Sequence, residues 1–209
     1  RSVPSPKIWR MYLKYIEQKY KSKVNYVKFR DKSYGYHGST LTIGFENGKF
    51  YRGSNRVCLY GNLFHGDKIS RPSCYECKFK GIERCSDFTL FDCWKPEELN
   101  NNAMDNNEGY SNMLIHTEKG DSIFETIKDK MKVYSIDYNK AISFTGGMAE
   151  QSILKPIERD KIYDDLEEME FQKFVKKYSN FSWMDYLFEY SKGMLHRTGL
   201  LRTIQRLKK

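Results

Sequence analysis

A hairpin signal in the first quarter of the chain restricts the fold more than any other feature. Residues 40–45 form a largely apolar run of strand length, and the pair Asn47-Gly48 separates this run from Phe50. An Asn-Gly pair between two such segments favours a tight turn that joins antiparallel strands. We therefore expect residues 40–45 to pair with the segment after the turn, and residues 24–29 to add a further strand.

Helical patterns open and close the sequence. Ser5 and Pro6 form an N-cap signal, and apolar side chains then recur every four residues. From residue 161 onward the apolar spacing is helical again, and residues 193–209 have the pattern of one basic amphipathic helix that packs on its own domain. Between these regions the pattern predicts a helix at 122–130 and strands at 88–94, 113–117 and 133–136. We expect an α+β protein with a mixed or antiparallel sheet, flanking helices and a helical C-terminal segment.

The composition is that of a folded protein. With 209 residues, of which 39% are hydrophobic, the chain can bury a core without disulfides. It has no uncharged apolar run of about 18 residues and no apolar signal-peptide core, so we expect a soluble, cytoplasmic protein without a transmembrane segment. Because Arg1 rather than Met opens the sequence and a helix signal follows at once, we expect a piece of a longer chain.

Positive charge is concentrated in the first 85 residues. These hold 18 Lys or Arg against 6 Asp or Glu, whereas residues 86–191 hold 12 against 21 and the whole chain has a net charge of +9. Such a basic half attracts nucleic acid, an anionic membrane surface, a phosphate-rich cofactor or an acidic partner, or serves only as a solvated surface. Hydrolase and zinc-protease classes have no support, since the sequence contains neither Gly-x-Ser-x-Gly nor His-x-x-x-His.

Four of the five cysteines lie within 20 residues, at Cys74, Cys77, Cys85 and Cys93. A Cys-x-x-Cys pair directs two thiolates at one ion, and in an intracellular chain it indicates metal or redox chemistry rather than a structural disulfide. Three interpretations stay open. They are a zinc site completed by Cys85 and Cys93 or by His65 as irregular partners, an iron–sulfur site that takes ligands from another part of the protein, and a pair of buried thiols.

Several segments, in a fixed order, carry a resemblance to a known family. They are residues 3–9 (VPSPKIW), 29–32 (FRDK), 71–81 (RPSCYECKFKG) with 86–94 (SDFTLFDCW), and 109–120 (GYSNMLIHTEKG). In this order they resemble the C-terminal region of the coenzyme F420 hydrogenase/dehydrogenase beta subunit family. The likeness covers about residues 3–130, and we divide the chain into a family-like α/β domain at 1–145 and a helical extension at 146–209.

The resemblance implies an oxidoreductase of the iron–sulfur flavoprotein kind. In such a protein a 4Fe-4S cluster passes electrons to or from FAD, and the flavin exchanges a hydride with a substrate. Bacterial relatives also occur beside exopolysaccharide genes, which implies a polysaccharide-biosynthesis context. The resemblance identifies no catalytic residue here. It implies an upstream ferredoxin-like half, or a separate electron-transfer partner, as the partner of this chain.

Four residues are implied as cofactor ligands. Cys74 and Cys77 correspond to cluster ligands and form a partial ligand set, whereas Cys85 and Cys93 are expected in the core. Arg30 and Lys32 stand at a strand end before a glycine-bearing turn and are expected to hold a flavin or deazaflavin phosphate. The alternative for these two cations is a surface ion pair with the aspartate between them.

A binding module is the alternative function. The basic half, its interleaved Tyr and Phe and the cysteine cluster are compatible with a zinc-stabilised, nucleic-acid-binding module. Its weakness is the lack of a second Cys-x-x-Cys pair. Under the resemblance we do not expect nucleic acid as the partner.

Overall fold

The computed structural model describes residues 2–81 and 83–207 and confirms the α+β class. The strands are β1 (Val24–Asp31), β2 (Thr40–Phe45), β3 (Phe50–Ser54), β4 (Phe88–Cys93) and β5 (Tyr110–Ile115). The helices are α1 (Pro6–Tyr20), α2 (Leu59–His65), α3 (Pro96–Leu99), α4 (Glu118–Ile127), α5 (Tyr138–Ala141), α6 (Gly147–Glu150), α7 (Arg159–Glu168), α8 (Phe171–Tyr178), α9 (Trp183–Arg197) and α10 (Leu200–Leu207).

The described chain forms two compact units. The larger unit contains residues 2–74 and 154–207, and the smaller unit contains residues 75–81 and 83–153. The larger unit therefore takes its elements from both ends of the chain. The division of the sequence at residue 145 stays a prediction. Within the described residues, no helix is both long and apolar enough to cross a membrane.

The sheet of the larger unit has the order β1-β2-β3, with antiparallel neighbours. The predicted turn closes β2 onto β3: Gly48 has a φ of 77°, and the Gly48 N–H donates to the Phe45 carbonyl at 3.0 Å. The side chain of Asn47 accepts from the Lys49 N–H at 3.1 Å. The hairpin prediction is confirmed, and β2 becomes the central strand, buried at every residue.

Helix α1 packs on this sheet as its sequence pattern predicts. The Ser5 hydroxyl accepts from the Ile8 N–H at 3.5 Å, which caps the first turn. The four-residue spacing places Ile8, Tyr12 and Ile16 on the buried face. They join the core of the larger unit, whose other buried members are Leu41, Ile43, Phe45, Cys58, Leu59, Tyr60, Leu63, Ile69, Ile162, Leu166, Phe174 and Val175.

The smaller unit is built on the antiparallel pair β4-β5. Its small core joins Cys93, Leu99 and Ala141. The predicted strand at 133–136 is wrong, because this segment is irregular in the structure. The carbonyl of Ser135 accepts from the side chain of Asn100 at 3.0 Å. A side chain therefore satisfies a backbone group that a strand would bond to its neighbour.

The predicted single helix at 193–209 is also wrong. Helix α9 ends at Arg197, and α10 begins at Leu200. Gly199 has a φ of 75°, a conformation that helix interiors do not contain, and the Thr198 hydroxyl donates to the Leu195 carbonyl at 3.1 Å. The segment therefore bends at residues 198–199, while residues 208–209 lie outside the described chain.

Candidate redox site

A cavity of about 700 Å³ opens in the larger unit, lined by α1, the β2–β3 hairpin and the end of the chain from α8 to α9. We call it the aromatic cavity. Its aromatic lining residues are Tyr12, Tyr15, Tyr20, Tyr34, Phe50, Tyr51, Phe181, Tyr186 and Tyr190, and its basic lining residues are Lys19, Lys49, Arg52 and Arg197. Its volume and largely apolar, aromatic wall are typical of a small-molecule site.

The inner wall of the cavity is neutral. The Tyr12 hydroxyl lies 3.7 Å from the Cys58 sulfur, and the Tyr51 hydroxyl donates to the Val57 carbonyl at 3.3 Å. Burial raises the pKa of Tyr12 and of Tyr51 well above its usual value and also raises the pKa of the Cys58 thiol. These groups therefore stay protonated at neutral pH, and the wall suits an uncharged flat ring.

Glu189 is the one carboxylate among the described residues that line this cavity. It is buried, and its two oxygens accept from the Ser54 N–H at 2.9 Å and from the Ser54 hydroxyl at 2.6 Å. These hydrogen bonds tie α9 to the end of β3. Because they satisfy the buried charge, Glu189 has a structural reason to be there.

Arg52 is held rigidly beside the cavity. Its guanidinium lies 3.6 Å from the carboxylate of Asp31, and its Nε donates to the Thr42 hydroxyl at 3.1 Å. Burial raises the pKa of Asp31, but hydrogen bonds from Ser33 and Thr42, together with the charge of Arg52, lower it more, so that the net pKa lies below its usual value. The ionised Asp31 carboxylate thus orients the guanidinium of Arg52, which lines the cavity.

The structure brings Arg30 and Lys32 together on one ring. The Arg30 guanidinium lies 4.9 Å from the centre of the Tyr36 ring, and the Lys32 ammonium lies 5.7 Å from it. Both side chains are exposed, and neither is among the residues that line the aromatic cavity. Their phosphate-binding role stays a prediction. Asp31 between them is paired with Arg52.

Cys74 and Cys77 are both partly exposed. In the larger unit, the Val3 N–H donates to the sulfur of Cys74 at 3.2 Å. In the smaller unit, the Ser152 hydroxyl accepts from the Cys77 N–H at 2.9 Å. This hydrogen bond fixes the backbone at Cys77. Their role as ligands stays a prediction.

The other two cysteines of this region differ in burial. Cys93 is buried in the core of the smaller unit, as expected. Cys85 is exposed, so its expected place in the core is wrong. It follows Arg84, whose guanidinium donates to the carbonyls of Gly81 and Ala149 at 3.1 and 2.6 Å. The hydrogen bonds from Arg84 to these two carbonyls, rather than burial of the Cys85 thiol, fix the conformation of this segment.

The described residues near Cys74 and Cys77 do not provide a complete ligand set for a metal cluster. Within residues 2–81 and 83–207, no group of three or more His, Cys, Asp or Glu side chains is arranged to hold a metal ion. A 4Fe-4S cluster takes four ligands, and structural zinc also takes four. The two cysteines could therefore supply only part of such a set.

The family model that describes the C terminus of the coenzyme F420 hydrogenase/dehydrogenase beta subunit matches residues 2–140. The chain belongs to this family. Membership indicates an oxidoreductase or electron-transfer role, redox cofactors and, because the family is one of subunits, protein partners. No curated protein and no solved structure matches the chain significantly.

The family match covers only part of the aromatic cavity. Helix α1 and the β2–β3 hairpin lie within residues 2–140, whereas the wall formed by α8 and α9 lies beyond them. The cavity of this family member is thus completed by its own C-terminal helices.

Sequence reasoning missed the aromatic cavity. Its residues come from four separate stretches of the chain, residues 12–20, 34, 48–59 and 175–197, so no local motif marks it. A partial signal exists in α9, where Tyr186, Glu189, Tyr190 and Gly193 recur at helical spacing and face the cavity. An acidic residue, Glu189, within an otherwise aromatic face of α9 is the signal that could have indicated a binding cavity there.

Proposed function

We propose that this chain is the electron-transfer domain of an iron–sulfur flavoprotein oxidoreductase and that its aromatic cavity binds FAD. The observation that carries the proposal is the cavity of about 700 Å³, with a neutral aromatic wall and basic side chains, in a member of a redox family. Bound FAD would exchange a hydride with a substrate and single electrons with a second centre. The polysaccharide-biosynthesis context predicted from the sequence remains part of this proposal.

The side chains have distinct tasks in this proposal. Tyr186 and Tyr190 offer ring faces for stacking, and the protonated Tyr12 and Tyr51 close the inner end without placing charge there. The cations of the wall attract the phosphates of the cofactor. We also propose Arg30 and Lys32 as phosphate contacts, because both are exposed cations ordered by the same ring.

Flavin binding tests the cavity directly. The chain is titrated into FAD, and quenching of flavin fluorescence reports stacking on the aromatic wall. Tyr190→Ala should weaken binding by roughly threefold to tenfold, since a stacked aromatic pair is worth about 0.5–1.5 kcal/mol. Phe79→Ala is the matched control, because Phe79 is 83% exposed in the smaller unit and does not line the cavity. Equal FAD affinities of the wild type, Tyr190→Ala and Phe79→Ala would contradict FAD binding in the aromatic cavity.

The phosphate contacts are tested by comparing FAD with riboflavin, which has no phosphate. Arg30→Gln and Lys32→Gln should each weaken FAD binding several-fold and leave riboflavin binding unchanged. Lys176→Gln removes one exposed charge of α8 in the same unit and serves as the control. A uniform loss for both ligands would show that these residues do not act on phosphate.

For Cys74 and Cys77 we propose a partial ligand set of a 4Fe-4S cluster. The remaining ligands would come from an upstream ferredoxin-like half or from a separate electron-transfer partner. The proposal is supported by the Cys-x-x-Cys spacing, the partial exposure of both thiols and the Val3 N–H directed at the sulfur of Cys74.

Metal and acid-labile sulfide analysis of anaerobically purified protein tests this assignment. Iron with sulfide that is lost in Cys74→Ser and Cys77→Ser, but kept in Cys85→Ser, is the expected result. Cys85 is a fair control because it is an exposed thiol of the same loop. Zinc without sulfide would assign the pair to a structural site, and iron that survives both substitutions would reject the two ligands.

A further inference from the structure

A second cavity, of about 410 Å³, lies in the larger unit next to the aromatic cavity. Tyr34 lines both. The second cavity, which we call the basic cavity, is lined by Tyr34, His37, Gly38, Ser39, Ser54, Asn55, Arg56, Phe188 and Lys192. Among these described residues there are one arginine, one lysine, one histidine and no carboxylate.

The two cations are held against the same ring. The Arg56 guanidinium lies 4.8 Å from the centre of the Phe188 ring, and the Lys192 ammonium lies 5.7 Å from it. Lys192 is also 5.7 Å from the centre of the Tyr34 ring. Rings on two elements therefore fix the positions of like charges that would otherwise move apart.

Two carboxylates that do not line the basic cavity lie near its cations. Asp185 forms an ion pair with the exposed Arg56 at 3.7 Å through one oxygen, and its other oxygen accepts from the Ser182 N–H and hydroxyl in the cap of α9. Glu189 accepts two hydrogen bonds from Ser54. Burial lowers the pKa of Lys192, Glu189 opposes this effect, and the charge of Arg56 lowers the pKa further. The lining of the cavity thus supplies two cations and no carboxylate, and the balancing carboxylates of Asp185 and Glu189 are not among its lining residues.

We propose that the basic cavity binds the phosphate group of a small phosphorylated ligand between Arg56 and Lys192. Two cations in one cavity that is also lined by hydroxyl, amide and imidazole groups match the charge and the acceptor atoms of a phosphate. His37, Ser39 and Asn55 supply further polar groups on the lining. Lys192 belongs to α9, so the family match at residues 2–140 includes only one of the two cations.

The proposal does not depend on flavin binding. It is tested with inorganic pyrophosphate by isothermal titration calorimetry and by thermal melting, against sodium chloride of equal ionic strength. The wild-type chain should bind pyrophosphate and gain thermal stability. Arg56→Gln and Lys192→Gln should each weaken binding about tenfold or more, because each removes a charge-assisted contact.

Two further variants keep the test decisive. Lys192→Arg should retain binding, and Lys176→Gln, on exposed α8, should bind like the wild type. The melting temperature of each variant without ligand shows whether it is folded. Arg56→Gln should lower it only slightly, because the exposed ion pair with Asp185 that it removes contributes little to stability. No pyrophosphate binding by the wild type, or equal binding by folded Arg56→Gln and Lys192→Gln, overturns the proposal.

The source of the phosphate is decided by competition. If it belongs to the cofactor of the aromatic cavity, pyrophosphate should displace FAD but not riboflavin. If it belongs to a separate phosphorylated substrate, pyrophosphate and FAD should bind together. Both results support the phosphate site, and pyrophosphate binding by a chain that binds no flavin would reject only the proposed flavin function.

Discussion

Burial separates the cysteines in a way that their spacing does not. Cys58 and Cys93 are 0% and 4% exposed, whereas Cys85 is exposed and Cys74 and Cys77 are partly exposed. Burial raises the pKa of the Cys58 and Cys93 thiols, which keeps them as poorly reactive thiols.

Alkylation should therefore divide the five cysteines into two groups. With iodoacetamide at about pH 8, Cys74, Cys77 and Cys85 should react first, because the reagent can reach them and needs the thiolate. Cys58 and Cys93 should react only after denaturation with guanidinium. Mass spectrometry of peptides after short labelling times measures this order, and labelling of Cys58 as fast as Cys85 would contradict it.

Asp31 should make folding sensitive to acid. Its folded-state pKa lies below its usual value of about 3.9, so its stabilising effect is complete at pH values above this and is lost as the pH falls through the folded-state pKa. Urea unfolding of the wild type should show decreasing stability between about pH 5 and pH 3. Asp31→Asn should have a lower free energy of unfolding than the wild type at pH 5, and this free energy should change less with pH.

The control for this effect is Asp129→Asn, which changes an exposed aspartate of the smaller unit. It should keep the acid dependence of the wild type. An unchanged slope in Asp31→Asn would show that other carboxylates determine the acid sensitivity.

At the scale of elements, local chemistry decides where segments turn. The Asn47-Gly48 turn forms because glycine adopts a positive φ without steric cost, and the bend between α9 and α10 uses Gly199 in the same way. The first was recognisable from the sequence because two strand patterns flank it. The second was hidden within a continuous helical pattern.

Gly48→Ala should lower the free energy of unfolding by about 1–2 kcal/mol, because the φ of 77° forces a side chain into the left-handed region. Apart from residues 47–49 themselves, no atom lies within 4 Å of the added methyl group, so the cost comes from the backbone conformation rather than from crowding by other residues. Gly48→Asn should recover much of the loss, since asparagine tolerates this conformation. Urea unfolding measures both, and equal losses in the two variants would contradict the explanation.

At the scale of the whole molecule, the ends of the chain close the core of the larger unit. Ile162, Leu166 and Phe174 are buried in the same cluster as Ile8 and Ile43, although more than a hundred residues separate them in sequence. The C-terminal helices thus provide part of the hydrophobic core as well as a wall of both cavities.

Phe174→Ala should therefore destabilise the protein by about 3–5 kcal/mol, because it leaves a cavity at a fully buried ring. Phe79→Ala, which removes a ring that is 83% exposed, should change stability by about 0.5 kcal/mol or less. Chemical denaturation compares the two, and similar effects would mean that α8 does not belong to the core.

The sequence by itself determined the α+β class, the cap of α1, the hairpin turn and the family, because each depends on neighbouring residues or on an ordered series of motifs. Only the tertiary structure decided that Cys85 is exposed, that residues 133–136 pair with no strand in the described chain, and that Arg56 and Lys192 line one cavity. These outcomes depend on contacts between residues distant in sequence, where packing and the pairing of buried polar groups outweigh local pattern.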